Sequence, residues 1–163
     1  DSDGYTLSAG VTLDAGPIWS GDMAVSYLRR DYEDGALDSN SAIGLNGNLT
    51  WSPTDITRIV LSLGTSLSET ASATSSGGRD WTIGIDASHA LRDNVDLLAG
   101  LGAEIETESG DTDVTYDANL GIAWQINPSL SWTAAYDFTW LNAATANRDY
   151  TIHRISTVIT LSR

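Results

Sequence analysis

Cysteine is absent from this chain, and proline, lysine and long apolar runs are scarce or missing. Without cysteine there are no disulfides, no thiolate metal sites and no cysteine nucleophile. All bases are arginine, and only three residues are proline. No apolar run is longer than three residues, which excludes a transmembrane helix of about 20 apolar residues.

Basic charge is also scarce, since 8 bases stand against 22 acids and give a net charge of −14. Nucleic-acid binding depends on neutralising phosphates, so this balance argues against a nucleic-acid partner. Charged residues make up only 18% of the chain, below the roughly 25% of a typical soluble domain. Serine, threonine and glycine supply about a third of it. A disordered chain would share that composition, but it would not carry six Trp and six Tyr in a regular order.

Apolar and polar residues alternate with a period of two along most of the chain. Successive side chains of a strand point to opposite faces, so this alternation predicts strands with one apolar face. Nine such segments are present, and the last has the least secure face assignment: 5–15, 19–27, 43–51, 59–67, 81–91, 95–105, 114–126, 130–140 and 153–163. No segment carries the start and stop signals of a helix, so the predicted class is all-β.

The connections between these segments alternate between short and long. Short turns are predicted at Gly16-Pro17, Ser52-Pro53-Thr54, Arg92-Asp93-Asn94 and Asn127-Pro128-Ser129. Longer polar loops are predicted at 33–41, 70–79, 107–113 and 143–149. The short turns recur about every 37 residues, which implies strands of roughly 12 to 15 residues, longer than the 5–6 usual in globular sheets.

Large aromatic side chains collect at both ends of the predicted strands, with smaller apolar residues between them. Four lie close to short turns, namely Trp19, Trp51, Trp124 and Trp132. Four lie towards the long loops or the chain start, namely Tyr5, Trp81, Tyr116 and Trp140. Two aromatic belts are typical of a transmembrane β-barrel, because amphipathic rings prefer the membrane interface. A soluble β-sandwich is the alternative, since it also alternates, but its large rings would lie centrally.

These patterns predict an antiparallel up-and-down transmembrane β-barrel, with residues 1–163 forming a single domain. Hydrocarbon cannot satisfy backbone polar groups, so such a sheet must close on itself. The apolar face would meet lipid and the polar face would line the lumen. Bacterial single-chain barrels have even strand numbers. We therefore expect the nine strands to be part of a barrel of ten or more.

The charged residues of the polar face are the candidate lumen-lining residues, namely Asp14, Arg58, Asp86, Asp96, Glu104, Asp117, Asp137 and Arg154. Rings of carboxylates favour cations in a pore, while the alternative is that these groups only keep the inner face wet. Ser88 and His89 are adjacent in a strand, so they face opposite sides and cannot act as nucleophile and base. The acids between Glu104 and Asp113 lack the spacing of a calcium loop. We expect no enzyme activity, cofactor or metal.

Two segments carry a family resemblance, Leu49-Thr50-Trp51-Ser52-Pro53-Thr54-Asp55-Ile56-Thr57 and Leu120-Gly121-Ile122-Ala123-Trp124-Gln125-Ile126-Asn127-Pro128-Ser129-Leu130. They look like the repeated turn signatures of proteobacterial outer-membrane barrels, and residues 40–163 resemble the putative β-barrel porin type 2 family. The resemblance implies an outer-membrane protein, and some members are linked to polysaccharide export. It brings no catalytic residues.

Two functions are expected from these observations. The first is a porin-like passive channel for small polar solutes or ions in the bacterial outer membrane, with a weak preference for cations. The second is a structural or polysaccharide-export-associated barrel without its own open pore. Both imply contact with outer-membrane lipid and lipopolysaccharide. Assembly as a homo-oligomer and binding to a partner in an envelope assembly are both compatible with the sequence. A soluble sandwich that acts as a binding module is the third hypothesis.

Overall fold

The alternating segments fold as nine β-strands in a computed structural model that describes residues 2–32, 40–68, 78–108 and 110–162. Strand β1 is Ser2–Ala15, β2 is Trp19–Tyr32, β3 is Asn40–Thr54, β4 is Thr57–Ser68, β5 is Gly78–Arg92, β6 is Val95–Glu108, β7 is Asp111–Asn127, β8 is Leu130–Asn142 and β9 is Tyr150–Leu161. The prediction of nine long strands is confirmed.

The strands form one antiparallel sheet in which each strand pairs with its neighbour in sequence, in the order β1 to β9. This is the predicted up-and-down arrangement. Strands β1 and β9 form the two edges and do not pair with each other in the described part of the chain. No helix among the described residues is long and apolar enough to cross a membrane.

The register carries the alternation from strand to strand, so the sheet has two chemically different faces. Leu7 pairs with Tyr27, and Leu61 pairs with Ile85. We call the side that carries these residues the apolar face and the opposite side the polar face. In β9 the apolar face carries Ile155, which pairs with Tyr136, as the weak alternation there predicts.

Among the described residues, no second layer of protein packs against the apolar face. Leu7 is 72% exposed, Leu101 is 63% exposed and Ile155 is 85% exposed. No described side chain is fully buried, so the sheet has no hydrophobic core of its own. A β-sandwich would bury this face against another sheet, and the described residues form only one sheet.

The predicted turn at Ser52-Pro53-Thr54 is displaced by two residues. Strand β3 continues to Thr54, which pairs with Thr57, so the turn residues are Asp55 and Ile56. The register shifts between Trp51 and Thr54, and Pro53 lies in this irregularity, where a missing N–H removes no ladder bond. Pro53 thus marks a break in the β3–β4 ladder, but the prediction that Ser52-Pro53-Thr54 forms the turn is wrong.

The predicted long loop at 107–113 is wrong. Strands β6 and β7 run on to Glu108 and Asp111, which pair with each other. Gly110 has a φ of 93°, a left-handed conformation that glycine adopts without strain. The two predicted loops 33–41 and 70–79 lie mostly outside the described residues. The last two residues of each predicted loop belong to strands: Asn40 and Ser41 to β3, and Gly78 and Arg79 to β5.

The seam between β3 and β4 is interrupted. Its paired ladder runs from Trp51 and Ile59 to Gly47 and Leu63. Beyond this point the side chain of Thr65 replaces the ladder: its Oγ1 accepts from Leu45 N and donates to Leu45 O, each at 3.1 Å. The Thr65 N–H donates to Asn46 Oδ1 at 2.9 Å.

Candidate functional site

The polar face collects nearly all the acids of the described strands. The register places all eight predicted lumen-lining residues on this face, namely Asp14, Arg58, Asp86, Asp96, Glu104, Asp117, Asp137 and Arg154. It also places Asp22 and Asp80 there. Neither was predicted as a lumen-lining residue, although the alternation of segment 19–27 already indicates a polar position for Asp22.

At the short-turn end, the polar face forms a groove of about 640 Å³ whose charged lining residues are Asp55, Arg58 and Asp96. Arg58 lies on β4 beside Ser88 of β5, and Asp96 lies on β6 beside Ala90. No described carboxylate is within ion-pair distance of Arg58. The groove therefore holds a cationic side chain, Arg58, that lies near acids but forms no direct ion pair with a described carboxylate.

In the middle of the polar face, small residues leave room for the longer polar side chains of neighbouring strands. A Cβ on Gly100 would collide with Asn119 Nδ2 and with Asp86 Oδ1. Asp117 accepts a hydrogen bond from Thr139 Oγ1 at 2.6 Å. Most of these polar groups belong to strands β5 to β8, so the acid density is highest on that half of the sheet.

On strands β8 and β9, the guanidinium group of Arg154 lies close to the carboxylate of Asp137. Arg154 Nε is 4.0 Å from Asp137 Oδ2, and both side chains are partly exposed. An ion pair at this distance and exposure contributes little to stability. The pair therefore reduces the local negative charge without binding the two strands strongly.

At the long-loop end, four acids of the β6–β7 hairpin form a second groove of about 300 Å³ together with Thr145 and Arg148. Glu106 pairs with Asp113, and Glu108 pairs with Asp111. Like charges thus lie directly opposite each other. The groups lie beyond the aromatic residues Trp81 and Tyr116 and therefore outside the part of the sheet between the aromatic belts.

The acidic hairpin also anchors the loop between β8 and β9. Asp113 Oδ1 accepts from Ala144 N at 2.8 Å, and Asp113 Oδ2 is 3.4 Å from Arg148 Nη1. Partial burial raises the pKa of Glu106, and the neighbouring charges of Asp80, Asp113, Glu104 and Glu108 raise it further. No group of described residues has the arrangement of a metal site.

The eight predicted belt residues all lie on the apolar face, and several contact each other across strands. Trp19 stacks on Trp51 with ring centroids 5.5 Å apart, next to the short turns. Tyr116 stacks on Trp140 at 5.3 Å, next to the long loops. The pairs follow from the register, which aligns Trp19 with Trp51 and Tyr116 with Trp140, and equally Trp124 with Trp132.

Both histidines also lie on the apolar face and bond to hydroxyl groups on the neighbouring strand. His89 Nδ1 is 2.8 Å from Thr57 Oγ1, and His153 Nδ1 is 2.7 Å from Tyr136 Oη. Ser88 is on the polar face, opposite to His89. The described residues therefore contain no pairing of Ser88 with His89, in agreement with the alternation.

Comparison with known proteins gives a matching family and similar solved structures. The family described as "Putative beta-barrel porin 2" matches residues 1–163. The fold is similar to that of the outer membrane channel DcaP of Acinetobacter baumannii, with a TM-score of 0.74 and 10% sequence identity. The similarity covers 97% of this chain and 52% of that chain, so this chain spans about half the length of the channel. No curated protein matches the sequence.

Proposed function

The chain belongs to the Putative beta-barrel porin 2 family, and from this we propose that it forms part of the wall of a passive channel in the bacterial outer membrane. The observation that carries the proposal is the exposed apolar face. Large apolar side chains are uncovered on eight of the nine strands, all except β4, far more than the few hundred Å² of apolar patch usual on a soluble monomer. Lipid is the environment that such a face requires.

The polar face would then line a water-filled lumen. Its charged residues in the described strands are mainly carboxylates, and its bases include Arg58 and Arg154. An excess of fixed negative charge lowers the energy of a cation in a pore and raises that of an anion. The proposed solutes are therefore small polar molecules and ions, with a weak preference for cations.

Closure of the wall needs strands beyond the nine. Because all neighbours are antiparallel, the edge strands β1 and β9 run in the same direction. Antiparallel pairing at both edges therefore requires an odd number of additional strands. An unpaired edge cannot face hydrocarbon, since its N–H and C=O groups would lack partners. We propose that such strands complete the barrel.

Conductance across a planar bilayer tests this function. We expect ion conductance from the folded protein, and in a salt gradient a reversal potential of the sign that indicates cation preference. The triple variant Asp86→Asn, Glu104→Gln and Asp117→Asn should move this potential towards zero. The variant Asp93→Asn, in a short turn outside the polar face, is the matched control and should leave it unchanged.

Two results would contradict the proposal. A folded protein that inserts into the bilayer and does not conduct would favour a structural barrel without its own open pore. Conductance with a reversal potential that the triple variant does not change would remove the proposed role of the carboxylates.

A further inference from the structure

A wedge opens on the apolar face between the long-loop halves of β3 and β4. Beyond the last ladder pair, Gly47 with Leu63, each strand stays paired only with its other neighbour. Ser41 pairs with Arg29 of β2, and the end of β4 pairs with β5. The wedge is a groove of about 570 Å³, and it is lined by Tyr27, Ser41, Ile43, Arg79 and Trp81.

A guanidinium group bridges this wedge. Arg79 lies on the apolar face of β5, and its Nη2 donates to the Ser41 carbonyl oxygen of β3 at 3.4 Å, past the intervening strand β4. Arginine has five N–H donors, so this single long bond satisfies only one of them. In the described part of the chain, no carboxylate is within ion-pair distance of Arg79.

A second arginine lies on the same face at the same end of the sheet. Arg29 is in register with Ser41 and with Tyr5, so two guanidinium groups flank the Ser41 position. By register, Asp3 and Asp31 lie on the same face and pair with each other one step beyond Tyr5 and Arg29. On strands β3 to β5, Arg79 is the charged residue that the register places on the apolar face, so the wedge itself carries a positive charge between apolar walls.

The chemistry of the groove is that of an anionic amphiphile site. Arginine recognises phosphate through its planar fork, with two parallel N–H···O bonds. The walls beside it are apolar, since Tyr27, Ile43 and Trp81 line the same groove. At the depth of an aromatic belt an arginine on a lipid-facing surface costs much less free energy than at the bilayer centre.

We propose that this wedge binds the phosphate group of a membrane lipid, with Arg79 as its main ligand and the lipid chains along Ile43 and Trp81. The inference rests on the proposed placement of the apolar face in lipid. The site is distinct from the lumen, because Arg79 and the acids of the channel wall lie on opposite faces of the sheet.

The test compares two lipids that differ only in the phosphate. The full chain in a neutral detergent is titrated with phosphatidic acid, with diacylglycerol of the same chains, and with inorganic phosphate, and bound lipid is counted by native mass spectrometry. We expect phosphatidic acid to bind at least tenfold more tightly than diacylglycerol, and inorganic phosphate to compete only weakly.

The variant Arg79→Gln should abolish the preference for phosphatidic acid, and Arg79→Lys should reduce it without removing it. Arg148→Gln is the matched control, because Arg148 lies at the same end of the sheet but contacts Asp113 on the polar side. Far-ultraviolet circular dichroism shows whether each variant is folded. If Arg79→Gln does not fold, Arg79→Lys against Arg148→Lys gives the same comparison.

The outcomes separate this inference from the proposed function. Equal binding of the two lipids, or a preference that Arg79→Gln and Arg79→Lys leave unchanged, overturns the phosphate site and leaves the apolar face in lipid. Inorganic phosphate that binds as tightly as phosphatidic acid overturns the lipid as the source. A folded chain that takes up neither lipid nor detergent overturns both the site and the membrane placement.

Discussion

The β3–β4 seam and the β6–β7 seam join strands of similar length in different ways. The β6–β7 ladder is continuous from Val95 and Trp124 to Glu108 and Asp111, and a tight hairpin closes it. The regular β3–β4 ladder stops at Gly47 and Leu63, and the side chain of Thr65 takes over its hydrogen bonds. A continuous seam gives a closed wall, and an interrupted seam gives a groove where another molecule can lie.

The interrupted seam also buries two polar side chains. Ser26 is 4% exposed and Thr65 is 8% exposed, and they are the buried polar side chains of the described residues. Asn46 joins them, because its Nδ2 donates to Ser26 Oγ at 3.3 Å and its Oδ1 accepts from Thr65 N. Hydrogen bonds of side chains therefore help to connect β3 with β4 here, whereas backbone hydrogen bonds connect β6 with β7.

The largest effect is expected from Thr65→Val, which keeps the shape of the side chain and removes its hydroxyl. Leu45 N and Leu45 O would lose their partner, and buried unsatisfied groups cost 1–3 kcal/mol each. We expect the free energy of unfolding in detergent, measured with urea, to fall by about 3 kcal/mol.

Thr115→Val on β7 is the control for this variant. Thr115 is half-buried on the polar face of the continuous seam, and its hydroxyl has no hydrogen bond among the described residues. A loss of less than about 0.5 kcal/mol is expected there. Equal losses for the two variants would show that Thr65 does not hold the interrupted seam together.

Gly44→Ala tests the packing of the same seam. A Cβ at Gly44 would lie 2.6 Å from Ser26 Oγ and 2.8 Å from Leu28 Cδ1. Overpacking of this kind costs about 1–3 kcal/mol. Gly102→Ala in the continuous seam is the control, because its Cβ would come no closer than 3.8 Å to Asp117 Cβ. Urea unfolding that ranks Gly102→Ala as the more harmful change would contradict this assignment.

Glu106→Gln is expected to have the smallest effect and to depend on pH. The raised pKa of Glu106 means that the folded protein binds more protons than the unfolded protein between the ordinary value of 4.5 and the raised value. The destabilisation is therefore absent below this window and complete above it. The variant should gain about 0.3 kcal/mol at pH 7 and nothing at pH 3.5, since opposed like charges cost little when exposed.

Asp14→Asn is the control for the pH experiment, because Asp14 pairs with Ser20 rather than with an acid. Unfolding midpoints at the two pH values give the measurement. A stabilisation by Glu106→Gln that is larger at pH 3.5 than at pH 7 would reverse the predicted sign.

The faces and order of the strands could be predicted from the sequence, because a period of two is a local property. Leu61, Leu63 and Thr65 continue the alternation of β4 without a break, so nothing in the pattern reveals that the ladder ends before Thr65. That ending depends on a contact with Leu45, 20 residues away. Arg79 was likewise assigned to a loop, and only the register with β4 places it on the apolar face.

Boundaries near turn residues were less predictable for the same reason. Pro53 indicates a break, but the position of the turn depends on whether Thr54 pairs with Thr57. The polar run at 107–113 has the composition of a loop, yet cross-strand pairing extends both strands to Glu108 and Asp111. Composition reports solvent exposure, and an exposed strand end has the same composition as a loop.

In the proposed placement, one face of this sheet meets lipid and the other meets water. Leu120 and Asn119 are adjacent in β7, both exposed, and on opposite faces. Because the chain has no cysteine, Leu120→Cys and Asn119→Cys each give a single spin-label site in lipid vesicles. We predict that oxygen, which is enriched in lipid, relaxes the Leu120→Cys label more strongly, and that a water-soluble nickel complex relaxes the Asn119→Cys label more strongly. Equal access of the nickel complex to both labels would contradict the account.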